Sequence, residues 1–221
     1  MRRWRLAGAT VLLLGAAPAA FAQSPAPLPL VVVDVRAAMA KLGPNAAAAA
    51  DFNVDPTAVP HTGLAGTLGV HVYPLRRRGL AVGVGVEAVS AEAGPDRAAR
   101  VLGPGAPPDN GLTGSIALDR RLTGVSAVLS VNFGSRDGWS YLSGGVGPLR
   151  FATTSSAVAH ATAPAVKTTN VGVGARWFTN RHVAFTFDVR AYLTRPAPAM
   201  PGVVGRNRQR VLVLSAGISL R

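Results

Sequence analysis

Residues 168–192 alternate with a period of two over two long runs, and that alternation constrains the fold more than any other feature of the chain. In the first run Val171, Val173, Ala175 and Trp177 interleave with Asn170, Gly172, Gly174 and Arg176. Thr179, Asn180, Arg181 and His182 then make a polar turn. In the second run Val183, Phe185, Phe187, Val189 and Ala191 interleave with Ala184, Thr186, Asp188, Arg190 and Tyr192. Successive side chains of a strand point to opposite faces. One face here is therefore apolar and aromatic, and the other carries small, polar and fully charged residues. Each run holds its pattern for about ten residues, beyond the ~5–6 of a soluble strand and near the ~9–11 that cross a bilayer as a tilted strand.

The start of the chain carries an export signature. Arg2, Arg3 and Arg5 precede an apolar stretch with Val11, Leu12, Leu13 and Leu14, and Ala20-Phe21-Ala22 fits a small-x-small cleavage site. Residues 1–22 read as a signal peptide cleaved near Ala22, because the apolar run is shorter than the ~20 residues of a spanning helix. Residues 23–29 form a Pro-rich lead-in, and 30–221 a single domain. No cysteine is present, which excludes disulfides, thiolate nucleophiles and cysteine-bound metal. The net charge is +13, of which the three arginines of the leader supply three, leaving +10 for the mature chain. Such a balance favours anionic partners, lipid phosphates reached through basic loops among them. Nucleic acid is not an expected partner, given export and the lack of a basic-aromatic motif.

The same alternation recurs along the chain. Strands are expected at 30–39, 63–74, 80–91, 122–133, 139–151, the two runs of the opening hairpin, and 210–221. Glycines at 144, 145 and 147 and Pro148 blur the faces of the fifth. Residues 46–50, all alanine, suit a helical turn inside the first connection. The connections run long, short, long, short, long, short, long. The short ones are the basic turn 75–79, the Asp137-Gly138 hairpin signal and the turn 179–182. The long ones carry the prolines, including Pro44, Pro56, Pro60, Pro95, Pro104, Pro107, Pro108, Pro196, Pro198 and Pro201. Long loops at one rim and short turns at the other define an all-β fold, an eight-stranded antiparallel up-and-down transmembrane β-barrel. A Greek-key sandwich has no reason to alternate in this way.

Opposite the apolar face lie Asp34, Arg36, His71, Glu87, Asn132, Arg176, Asp188 and Arg190. An eight-stranded barrel has an interior just wide enough for side chains to fill. Six of these residues, Asp34, Arg36, Glu87, Arg176, Asp188 and Arg190, are expected to meet there as a lumen charge network that plugs the barrel, because an unpaired buried charge is costly. Arg176 and Asp188 fall on neighbouring strands across the turn, with Arg190 and Asp34 near them or across the lumen. Tyr73, Phe133, Trp139 and Trp177, with Phe178, lie next to the short turns and are expected as an aromatic girdle at the membrane interface. Phe151 and Tyr192 are the candidates for the opposite girdle.

Catalytic signals are few. There is no G-x-S-x-G elbow. Gly83-Val84-Gly85 and Gly172-Val173-Gly174 are fragments of nucleotide loops inside strands. His61, His71, His160 and His182 lack metal-ligand spacing. A hydrolytic pairing of His71 with Ser126 or Glu87 would need a coincidence of strand order. No enzyme activity, cofactor or metal is expected.

Residues 138–147, GWSYLSGGVG, and 184–190, AFTFDVR, together with the topology, resemble the small eight-stranded barrels of the bacterial outer membrane, over nearly all of residues 23–221. The family ends in a strand with the pattern polar-x-Gly-x-x-apolar-x-aromatic, read by the barrel-assembly machinery. Residues 215–221, SAGISLR, follow it up to the second-last position and lack the closing aromatic. The resemblance implies residence in the outer membrane of a Gram-negative cell envelope, contact with its lipid and with the assembly machinery, a monomer, and a structural or surface-interaction role. The alternative is a secreted soluble barrel, lipocalin-like, which would turn its apolar face inward around a small apolar ligand and its charges outward.

Overall fold

The backbone ladder is continuous around a closed ring. In chain order the strands are β1 (Val31–Lys41), β2 (Thr62–Arg77), β3 (Leu80–Ala93), β4 (Ala99–Leu102), β5 (Leu112–Ile116), β6 (Leu118–Ser135), β7 (Gly138–Ser155), β8 (Val166–Phe178), β9 (Val183–Thr194) and β10 (Arg210–Leu220). This computed structural model describes residues 28–94, 99–102, 112–135, 137–155, 164–196 and 208–221. The expected signal peptide and cleavage site, most of the expected lead-in and several loop prolines lie outside the described residues. Eight strands close in the order β1-β10-β9-β8-β7-β6-β3-β2. Each is antiparallel to both neighbours, and β1 seals the ring against β10 from Val33↔Leu220 to Lys41↔Leu212. Closure leaves no exposed strand edge.

Local chemistry accounts for the turns. At the β8–β9 turn Asn180 Oδ1 accepts from the backbone N–H of His182 at 2.8 Å and of Val183 at 2.9 Å. The β2–β3 turn is tighter than the expected 75–79. A bulge between Val72 and Leu75 resets the register, pairing resumes at Leu75↔Val82, and Arg76 and Arg77 stay in the ladder. Only Arg78 and Gly79 remain to turn, and Gly79 takes φ +71°, a left-handed value that strains any side chain.

At the other rim the strands run further than alternation alone indicates. β6 and β7 continue to Leu118↔Ser155. Above the membrane a ladder needs only its backbone bonds, so no apolar face marks its end. The second long connection, expected as plain loop, contains the β4–β5 hairpin, paired from Ala99↔Ile116. The first contains α1 (Ala46–Asp51), where the alanine run is capped by Asn45, whose side chain accepts from Ala48 N–H at 3.3 Å.

The pleat separates two environments. Val35, Leu68, Val84, Leu129, Leu142, Val173, Phe187 and Leu214 all face outward and are exposed. So wide an apolar surface is a lipid face, not a water face. The soluble alternative required the opposite orientation. No helix among the described residues is long and apolar enough to cross a membrane, so the crossing falls to the strands.

The interior is layered. Near the short turns Leu28, Val32, Tyr73, Ala81, Trp139, Phe178 and Ala184 pack into one apolar cluster. Toward the long loops a larger cluster includes Ala40, Leu42, Leu122, Leu149, Phe151, Tyr192 and Val211. Above it, Ala48, Phe52, Val54 and Val59 of the first connection pack on Leu118 at the start of β6. Between the two barrel clusters lies a layer of charges.

Candidate functional site

The charged layer is built from the inward positions of all eight barrel strands, β10 contributing Ser219. Asp34 and Arg36 come from β1, His71 from β2, Glu87 from β3, Asn132 from β6, Tyr141 from β7, Arg176 from β8, and Asp188 and Arg190 from β9. Three guanidinium groups meet three carboxylates, so the formal charges of the layer balance.

One half centres on Asp34. Arg176 reaches across the barrel and grips it with both ends of its fork: Nε donates to Oδ1 at 3.1 Å and Nη2 to Oδ2 at 2.6 Å. Ser219 Oγ donates to Oδ1, and His71 Nδ1 lies 3.2 Å from Oδ2. The remaining Arg176 nitrogen donates to Tyr73 Oη at 3.0 Å and to Asn132 Oδ1 at 3.3 Å. Bidentate, charge-assisted pairs of this kind are among the strongest hydrogen bonds a protein makes.

The other half centres on Glu87 and Asp188. Arg36 Nη2 donates to Glu87 Oε1, and Arg36 Nε to Thr67 Oγ1 at 2.9 Å. Arg190 Nη1 sits 2.7 Å from Glu87 Oε2 and donates to Asn170 Oδ1 at 2.9 Å. Arg190 Nη2 donates to Asp188 Oδ2 at 3.2 Å and to Ser143 Oγ at 3.1 Å.

Tyr141 joins the halves. Its Oη accepts from Arg36 Nη1 at 3.3 Å and donates to Asp188 Oδ2 at 2.9 Å, while the Arg176 guanidinium lies 4.5 Å from its ring centre. The inward glycines make room for these groups. A Cβ at Gly174 would run into the Tyr141 ring, and one at Gly85 into the His71 imidazole.

The six expected residues thus come together in one layer, with different pairings from those adjacency suggests. Arg176 does not bond Asp188. The β8–β9 register sets Arg176 opposite Thr186 and Asp188 opposite Gly174, and the long arginine spans to β1 instead. Tyr141 is not among the residues expected in the network. Its signal was present, since it sits two residues from Trp139 and Ser143, but the glycines of β7 hid which face it shared. Arg120, also buried, holds the first connection from within the mouth by donating to Pro60 O at 2.9 Å and Gly43 O at 3.1 Å.

The aromatic expectation needs correction. Phe133 and Trp177 face outward, and Trp177 meets Phe187 edge-on with ring centres 5.8 Å apart. Tyr73 and Trp139, however, are buried inside the barrel, as are Phe178, Phe151 and Tyr192. Strand parity decides this. Tyr73 shares the face of His71, and Trp139 that of Tyr141, so proximity to a turn does not turn them to lipid. Among the described residues no group of His, Asp and Glu is arranged to hold a metal ion.

Closed ring, outward apolar belt and inward charges define a membrane-type antiparallel β-barrel. Neisserial surface protein A has a similar structure: TM-score 0.55 at 14% identity, covering 86% of this chain and 96% of that one. Weaker likenesses are Ail, the attachment invasion locus protein of Yersinia pestis, with TM-score 0.48 at 11% identity over 86% of this chain and 97% of that one, and the outer membrane protease OmpT of Escherichia coli, with TM-score 0.46 at 8% identity over 86% and 96%. No protein-family model matches the sequence, and no curated protein matches it. What the chain shares with neisserial surface protein A is the fold of the barrel.

Proposed function

We propose that this chain is an outer-membrane barrel that acts through its surfaces, with a lumen closed to solutes and no catalytic role. The observation that carries the reading is the layered interior: a neutral network of paired Arg and carboxylate groups held between two apolar clusters. Paired charges with few free polar atoms offer an ion little in place of its hydration shell. The interaction surface is then the long-loop rim and the lipid face. The leader-like residues 1–22 and the C-terminal pattern of β10 support export and handling by the barrel-assembly machinery.

Fractionation tests residence: the mature protein is expected with outer membranes, resistant to carbonate wash, and recovery from the soluble periplasm refutes it. Planar-bilayer recording tests closure. The wild-type barrel is expected to give no steady conductance, and a stable ohmic channel refutes a closed lumen.

A further inference from the structure

At the long-loop rim, β8, β9 and β10 enclose an outward-facing cleft of about 370 Å³, in which Lys167, Arg195, Arg208 and Arg210 converge above Thr169 and Leu193. All four cationic side chains are exposed. No carboxylate among the described residues lines the cleft. The contrast is with the β3–β6 flank of the same rim, where Glu92 pairs with Arg121. The mutual repulsion of four gathered cations therefore meets no carboxylate among the described residues of the cleft.

The cleft also has a fixed depth. Leu193 pairs with Arg210 across the β9–β10 ladder. Leu193, Leu212 and Val171 are exposed, outward-facing members of the apolar belt just beneath the cations. The cleft thus sits where lipid chains end and headgroups begin. Guanidinium forks match the oxygens of a phosphate, and the threonine hydroxyl adds a neutral donor.

We infer that this cleft is a binding site for the phosphorylated headgroup of a membrane lipid, whose chains lie on Val171 and Leu212 while its phosphate is held by Lys167, Arg195, Arg208 and Arg210. A lipid is favoured over a soluble phosphate because the cleft opens onto the apolar belt, and only a molecule with both parts satisfies cations and leucines together. The inference rests on the membrane reading above.

The test uses the full mature chain refolded in amine-oxide micelles. Folding is checked first by heat-modifiable gel migration. The protein is then titrated with bisphosphorylated lipid A, with the same lipid dephosphorylated, and with inorganic pyrophosphate, following the backbone amides of Thr169, Leu193 and Thr194 by NMR. Saturable binding of the phosphorylated lipid is expected, weakened by salt and about fivefold for each cation removed. The combined variant K167Q/R195Q/R208Q/R210Q is expected to fold and lose this binding, whereas R77Q/R78Q at the opposite rim keeps it. Equal binding of the dephosphorylated lipid, pyrophosphate binding as tight as that of the lipid, or an unchanged quadruple variant each overturns the site. If that variant does not fold, single variants replace it, and four single variants with wild-type affinity overturn the site as well. A chain that never folds into micelles removes the membrane reading, and the site with it.

Discussion

Tyr141 donates a 2.9 Å hydrogen bond to Asp188 across the barrel interior. That bond ties β7 to β9 past the intervening β8, and the same oxygen accepts from Arg36 of β1. Tyr141→Phe keeps the ring under Arg176 and deletes only the hydroxyl. Removing a hydrogen bond to a charged group is expected to cost about 1.5–3 kcal/mol. Urea unfolding in micelles measures it. A loss within error of zero shows that the hydroxyl does not couple the two halves of the network.

The Asp34–Arg176 pair is buried from both sides. Asp34→Ala strands a guanidinium inside the barrel and is expected to cost about 3–5 kcal/mol. Adding Arg176→Met should recover much of that loss, because contacting charges are strongly coupled. A double-mutant cycle read by the same unfolding assay checks this. Additive, near-zero effects would mean that water reaches both groups.

The lipid face can be probed against the lumen face one residue away. Val173→Arg and Phe187→Arg place a charge on the apolar belt and are expected to cost about 2–4 kcal/mol if they lie near the midplane. Both positions are about half exposed on the outside, at 50% and 52%. Folded yield in liposomes is the readout. Wild-type assembly of both variants shows that these positions do not meet lipid.

Arg120 clamps the first long connection by binding carbonyls at both of its ends, Gly43 and Pro60. Arg120→Met is expected to leave the barrel intact on a heat-modifiability gel while raising protease cleavage within residues 43–60. Unchanged cleavage shows that the apolar contacts of Phe52 and Val54 with Leu118 hold the loop alone.

Period-two alternation marks the eight barrel strands and their two faces, because side-chain parity is a local property of an extended chain, and the alternation of long and short connections sets their order. Parity places Asp34, Arg36, Glu87, Arg176, Asp188 and Arg190 on one face, opposite the apolar residues. Parity also places Tyr73 on the inward face with His71, whereas nearness to a turn points it to lipid. On β7 the local signal runs out, since glycines at 144, 145 and 147 carry no side chain to declare a face, which leaves Tyr141 without a face and lets nearness to a turn misplace Trp139 on the lipid side. Pairing across the lumen was decided only by the tertiary structure. Which arginine meets which carboxylate depends on register, on barrel closure between β1 and β10, and on the reach of a side chain over strands far apart in sequence, so Arg176 finds Asp34 and not Asp188. The cationic cleft has the same origin: Lys167, Arg195, Arg208 and Arg210 are scattered loop-edge residues in the sequence, and closure of three adjacent strands makes them neighbours.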